Sequence, residues 1–132
     1  MNFEAEFEKL NPEQKEAVNT IDGPVLVIAG PGTGKTQLLS MRVANILKTT
    51  DTDARNILCL TFTNKAATNM RERLQKLTDG EARYVNVKTF HSFCSDAMNN
   101  YPEYFWNGAN LSSAPDSVQY SILEDIYSAS FL

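Results

Sequence analysis

Residues 25–36 read VLVIAGPGTGKT, four apolar residues followed by a glycine-rich octet that closes on Lys35 and Thr36. Val25, Leu26, Val27 and Ile28 have the continuous apolar character of a buried strand. Behind the octet, Leu39, Val43, Ile46 and Leu47 recur at helical spacing, which predicts an amphipathic helix over 35–48. A strand, a glycine-rich turn and a helix in that order bring backbone N–H groups and the positive end of a helix dipole together, a cradle for phosphate. The strict motif begins with Gly; here Ala29 takes that place, so the pattern is a small residue, four variable residues, then Gly34, Lys35 and Thr36. In this reading Ala29, Gly30, Pro31, Gly32, Thr33 and Gly34 wrap the phosphates. Lys35 neutralises their charge, and the Thr36 hydroxyl joins the shell of a Mg²⁺ ion. A merely flexible glycine-rich turn would need neither the lysine nor the apolar run before it.

Working outward, the chain alternates. Asn11, Pro12, Glu13, Gln14 has the form of a helix start, with Asn11 as cap, Pro12 at the first helical position and Gln14 three residues after the cap. That helix runs to about Thr20, and Asp22, Gly23 and Pro24 turn the chain into the first apolar run. After a polar connection over 49–56, Ile57, Leu58, Cys59 and Leu60 read as a second strand. Ala67, Met70, Leu74 and Leu77 then lay an apolar stripe on a helix over 65–77. A turn at Asp79 and Gly80 follows, then a third strand over Tyr84–Val87 and a helix over 90–99. The alternation predicts an α/β fold with a parallel sheet flanked by helices and right-handed crossovers. The segments after the three strands, 29–36, 61–65 and 88–92, would then share the carboxyl edge of that sheet, where open α/β folds place ligands. Beyond Tyr101 the character changes, with aromatics at Tyr101, Tyr104, Phe105 and Trp106 and a last helix suggested by Val118, Ile122 and Ile126.

At 132 residues and 42% hydrophobic content the chain can bury a single core but is too short for a two-lobed motor. No stretch has the length and apolarity of a membrane span, and Met1 is followed by acidic residues, so a cytoplasmic protein without membrane association is expected. Cys59 and Cys94 fall in a predicted strand and helix as ordinary buried thiols; with the lone His91 they make no metal-ligand set. The net charge of −4 is segregated: residues 1–34 carry −4, residues 35–88 carry +5 and residues 89–132 carry −5. A basic middle suits a polyanion at one face, and solvated helix faces account for it equally well.

The segment TFTNKAA at 61–67, followed by Met70, Arg71 and Arg73, gives the chain a wider likeness. LNPEQKEAV at 10–18, AGPGTGKT at 29–36, LTFTNKAATNMRERL at 60–74 and VKTFHSFC at 87–94 stand in the order found in superfamily 1 DNA helicases of the UvrD/Rep/PcrA type, which this chain resembles. The resemblance implies a RecA-like phosphate-loop ATP-binding domain using ATP and Mg²⁺, with Lys35 and Thr36 as its catalytic contributors. It implies that Gln14 reads the adenine edge, where the residue pattern alone gives a capping box. The position after the loop threonine, commonly Arg in that family, is Gln37 here. Gln37 then belongs to the nucleotide site without an arginine's stacking, and Arg42 one turn on is the other basic side chain within reach.

The resemblance further implies that Thr61, Phe62, Thr63 and Asn64, with Thr89, Phe90, His91 and Ser92, meet single-stranded DNA or a single/double-strand junction. An aromatic ring stacks on a base of any identity, and hydroxyls with a helix amino end hold phosphates. Outside the resemblance, Phe62 reads as packing at a strand end, Asn64 as a helix N-cap and His91 as a polar surface residue. Hydrolysis on such a fold needs an Asp-Glu pair after a later strand. No apolar run here ends in that pair, and Glu124-Asp125 stands reversed within a helical pattern. The expectation is therefore an amino-terminal piece, 1–100 as a partial motor domain and 101–132 as the start of an inserted helical subdomain. It would bind ATP without turning it over, inside a parent DNA-repair-type helicase that supplies the remaining domains. The competing readings are a free-standing phosphate-loop kinase or ATPase, for which no Arg-rich lid appears after residue 89, and a non-enzymatic nucleotide or nucleic-acid binding module.

Overall fold

Two helices open the chain, each started by an asparagine. The computed structural model describes residues 2–78, 80–105 and 114–130. Helix α1, Phe3–Glu8, begins at Asn2, whose side chain accepts the Glu4 N–H. Helix α2, Pro12–Asn19, has the full capping box: Asn11 Oδ1 accepts the Gln14 N–H at 2.8 Å and Gln14 Oε1 accepts the Asn11 N–H at 3.1 Å. The sequence reading found α2 but not α1. A six-residue helix is below the length at which helices are stable alone, and α1 is held by packing: Phe3 and Phe7 lie against a core cluster. Lys48 pairs with Glu4 and holds its carboxyl below the usual carboxylate range.

Helix α3, Lys35–Thr49, strand β1, Leu58–Thr61, helix α4, Asn64–Leu77, strand β2, Asn86–Thr89, and helix α5, Phe90–Asn100, follow. The strands pair in parallel with Leu58 opposite Asn86, Cys59 opposite Val87, Leu60 opposite Lys88 and Thr61 opposite Thr89. The second strand starts two residues later than the sequence pattern suggests, because Glu81–Tyr84 winds into a 3-10 turn. Gly80 of the preceding turn has a φ of 97°; its neighbour Asp79 lies outside the described residues.

The predicted first strand is the main correction. Val25–Ile28 is no part of the sheet, which among the described residues contains β1 and β2 alone. Exposure alternates along the run, with Leu26 and Ile28 87% and 92% exposed and Val25 and Val27 about half as much. An apolar sequence supplies the tendency to be a strand, but a strand exists only with a hydrogen-bonded neighbour, and among the described residues none pairs with this run. The expected three-strand carboxyl edge is thereby reduced to two strands.

The core forms two clusters on either side of α3. Leu38, Met41 and Ala44 join Leu10, Ala17, Val18 and Leu77 in one; Val43 joins Ala67, Met70, Leu74 and Val87 in the other. The α4 stripe is buried as the spacing predicts, whereas Leu39, predicted inward, is half exposed and Leu38 takes its place. Each fully buried side chain such as Met41 or Leu74 contributes about 1.5–3 kcal/mol. Helix α3 also completes α2: Asn45 Nδ2 donates to the Val18 carbonyl at 3.1 Å, and Arg42 donates to Ala17 at 2.5 Å and Ile21 at 3.4 Å. The Ala17 and Val18 carbonyls are among those a helix end leaves unpaired, Ile21 lies in the turn just beyond, and a cation suits that end of the dipole.

The chain divides into two compact units, residues 1–93 and 94–132. Within the second, helix α6, Asp116–Ala129, follows a 3-10 turn at Pro102–Tyr104 and is exposed along its length. Tyr101, Tyr104 and Phe105 are exposed; Trp106 lies outside the described residues. Cys94, expected as a buried thiol, is exposed, while Cys59 on β1 is largely covered and its thiol is pushed up to about 11 by burial.

Candidate functional site

The glycine-rich octet ends where α3 begins, and its turns demand glycine. Gly32 and Gly34 have φ of 76° and 81°, the left-handed region that other residues adopt only with strain. Gly34 is the N-cap of α3 and offers no side chain, so the first-turn N–H groups receive no side-chain cap. Thr33 Oγ donates to the Gly30 carbonyl at 2.8 Å and tightens the loop. Lys35 folds back over it, its ammonium donating to the carbonyls of Gly30 at 2.5 Å and Ala29 at 3.3 Å. The Thr36 hydroxyl stands on the exposed first turn, and the carbonyl of Thr36 accepts from the buried Ser40 Oγ at 2.8 Å.

A groove of about 640 Å³ runs beside this loop, lined by Gln14 and Ala17 of α2, Val25 and Val27 of the extended run, and Gly30 and Lys35. Gln14 Nε2 reaches toward the Thr33 carbonyl at 3.4 Å while its Oε1 serves the capping box. One amide N–H and one oxygen lone pair of Gln14 remain, the donor–acceptor couple that an adenine edge requires. The capping role and a base contact are therefore compatible on one side chain.

Gln37, expected at the nucleotide, and Arg42, its possible substitute there, both have partners elsewhere. Gln37 Nε2 donates to Glu6 Oε2 at 3.2 Å, which ties it to α1. Arg42, the other candidate at the base, is committed to the carboxyl end of α2. Sequence reasoning missed Glu6, for which no local signal exists: its partner is 31 residues away.

A second surface is built by β1 and β2. Their register sets Thr61 opposite Thr89, so the next residues, Phe62 and Phe90, meet at the carboxyl edge with ring centres 5.4 Å apart and planes tilted by 41°. Phe62 is 84% exposed, Phe90 44%. Each segment then turns into a helix on a threonine cap. Thr63 Oγ accepts the Ala66 N–H at 3.1 Å, and Thr89 Oγ accepts the Ser92 N–H at 3.1 Å. The cap of α4 is thus Thr63, and Asn64, expected in that role, is the first helical residue. Thr63 is exposed and keeps its own O–H to donate, whereas Thr89 is buried. Asn64, His91 and Ser92 are exposed at the two helix starts. Arg71 donates to the Val87 carbonyl at 2.5 Å and fastens α4 to β2. The structure brings 61–64 and 89–92 together at one edge; pairing of the run before 29–36 does not add the loop to that edge.

Among the described residues no group of three or more His, Cys, Asp or Glu could hold a metal ion, and no helix is long and apolar enough to cross a membrane. Parallel strands, each leading into a helix, and a glycine-rich loop that caps another helix with its lysine folded over it define the class: an α/β protein with a phosphate-loop sequence. The chain belongs to the UvrD/REP helicase N-terminal domain family, whose model matches residues 10–130. It is 39% identical over 117 residues to a protein of Staphylococcus aureus named ATP-dependent DNA helicase PcrA, and 38% identical over 117 residues to the protein of that name in Staphylococcus epidermidis. In both cases the match covers 89% of this chain and 16% of the relative, so the chain spans about a sixth of the length of these relatives.

Proposed function

We infer that this chain is the ATP-binding part of an ATP-dependent DNA helicase, a partial RecA-like motor domain over 1–100 joined to the start of an inserted helical subdomain over 101–132. The observation that carries the reading is the exposed Phe62–Phe90 pair at the end of two parallel strands, in a chain that also places Lys35 over a phosphate loop. A generic nucleotide-binding domain has no need of two exposed rings there; a single-strand translocase uses such rings to stack bases without regard to sequence. The names of the relatives support the same reading.

In this mechanism the Lys35 ammonium exchanges the carbonyls of Ala29 and Gly30 for β- and γ-phosphate oxygens. The uncapped N–H groups at the start of α3 add their donors and dipole. Gln14 reads the base from the α2 side of the groove. Thr36, exposed on the first turn of α3, would offer its hydroxyl to a Mg²⁺ ion, which would neutralise phosphate charge when nucleotide is bound. Thr61, Phe62, Thr63 and Asn64 with Thr89, Phe90, His91 and Ser92 form the DNA-contacting edge. Glu124 and Asp125 lie on the exposed helix α6 in reversed order rather than at the end of an apolar strand sequence, so on this reading the chain binds ATP without hydrolysing it. The remaining motor domains, a cytoplasmic location and a role in DNA repair belong to the parent reading.

Titration of a fluorescent ATP analogue with Mg²⁺ tests the first half of the site. Binding should be abolished by Lys35→Ala, and phosphate release should stay at background. Lys35-dependent turnover by the purified chain, or equal binding by the Lys35→Ala variant, would overturn the reading.

A further inference from the structure

Helix α1 touches the two elements that frame the nucleotide groove. Its rings Phe3 and Phe7 stack at 5.7 Å and pack on the cluster containing Leu38 and Met41 of α3. Toward α2, Glu8 accepts from Lys15, the neighbour of Gln14, at 3.1 Å, and the Lys15 ammonium lies 5.5 Å from the Phe7 ring centre. Toward α3, the contact is Glu6. One carboxylate oxygen takes Lys9 at 2.6 Å, and the other accepts the Gln37 amide at 3.2 Å in a partly buried position.

Gln37 lies two residues beyond Lys35, in the first turn of α3. That turn contains no acidic residue, and its cap, Gly34, is a left-handed glycine without a side-chain hydrogen bond. The glycine joint itself supplies no side-chain cap, and glycine is the residue least able to stiffen it; the local bonds there are those of Thr33 and Lys35 within the loop and of Ser40 and Leu38 within the helix. From α1, the first turn is tied through Glu6 to Gln37.

We propose that Glu6 is a positioning residue for the nucleotide site: by holding Gln37 it fixes the first turn of α3 and keeps Lys35 and Thr36 aligned beneath the phosphate loop. The proposal rests on the nucleotide-binding reading above. It also changes the part played by Gln37, whose amide braces the helix start rather than facing the base. The carboxylate is a charged acceptor on a side chain only 16% exposed, the setting in which a single hydrogen bond has a measurable effect.

The test uses the full 132-residue chain and a fluorescent ADP analogue with Mg²⁺. Glu6→Ala and Gln37→Ala should each weaken binding about three- to tenfold, the scale of losing one ordinary intramolecular hydrogen bond. The double variant should be no weaker than either single one, because both remove the same contact. Glu6→Gln keeps an oxygen that accepts from Gln37 and should restore most of the affinity. Glu4→Gln, which breaks only the exposed pair with Lys48, should leave it unchanged. A second readout needs no nucleotide: hydrogen exchange of the Leu38 amide, which closes the first turn on the Gly34 carbonyl at 2.9 Å, should speed up in Glu6→Ala and return toward the parent rate in Glu6→Gln. Parent-like affinity in Glu6→Ala, additive losses in the double variant, or an unaltered Leu38 exchange rate would each overturn the proposal. Failure of the parent chain to bind the analogue would overturn the nucleotide reading instead, and the exchange rates would still decide whether Glu6 orders the turn.

Discussion

Replacing Phe62 by alanine separates binding from folding, because the ring is 84% exposed. So little of it is covered that truncation forfeits little transfer free energy. What it loses is the tilted contact with Phe90 at 5.4 Å, about 0.5–1.5 kcal/mol for an aromatic pair. A base stacked on the ring is worth about 1–3 kcal/mol, which is roughly a 5- to 150-fold loss of single-strand affinity. Phe62→Ala should therefore weaken binding by more than it lowers stability. Phe90→Ala, at 44% exposure, should cost both. The assay is fluorescence anisotropy of a labelled oligothymidylate at several salt concentrations, paired with urea unfolding of the same samples. Since Phe62 contacts no phosphate, the slope of log affinity against log salt should be the same in parent and variant. Affinity within about twofold of the parent, at unchanged stability, would refute the stacking role.

Three further outcomes follow from the packing. Leu74→Ala, at a fully buried position of α4, should cost about 2–5 kcal/mol in urea unfolding, whereas Leu39→Ala at a half-exposed position should cost about 1 kcal/mol or less; equal losses would mean that the α3 face is assigned wrongly. Thr63→Ala removes the cap of α4 and should lower stability by about 1 kcal/mol, with Asn64→Ala close to neutral; the reverse order in thermal unfolding would restore Asn64 as the cap. The exposed Cys94 should react with iodoacetamide at neutral pH well before Cys59, which stays protonated because burial lifts its thiol to about 11. By linkage, the stabilising contribution of Cys59 is complete below its unfolded value near 9.0 and is lost as pH rises toward 11. A flat stability profile across that alkaline window, compared with Cys59→Ser, would contradict its burial.

What could be read along the chain was what neighbouring residues decide among themselves. The capping box of Asn11 and Gln14, the stripe Ala67, Met70, Leu74 and Leu77, and the glycines that turn the loop into α3 all act within about four residues, so their spacing carries the whole interaction. The four ordered motifs identified the family for the same reason, since each is a short contiguous block. Helix α1 escaped because its stability comes from Phe3 and Phe7 packing on α3, not from its own six residues. Leu39 and Leu38 exchanged places because a helical stripe fixes a face only to within the width of its neighbours.

The sequence by itself determined the capping box that starts α2, the glycine-rich turn that leads into α3, and that two Thr-Phe steps end apolar runs. The tertiary structure alone decided which runs pair. It left Val25–Ile28 outside the sheet, set Thr61 against Thr89 so that Phe62 and Phe90 meet, and turned Gln37 to Glu6 and Arg42 to the end of α2. The physical reason is one of range: strand pairing and these side-chain contacts join residues 25 to 31 positions apart. Such partners are chosen by what the packed core brings across from each group, and no local pattern encodes them.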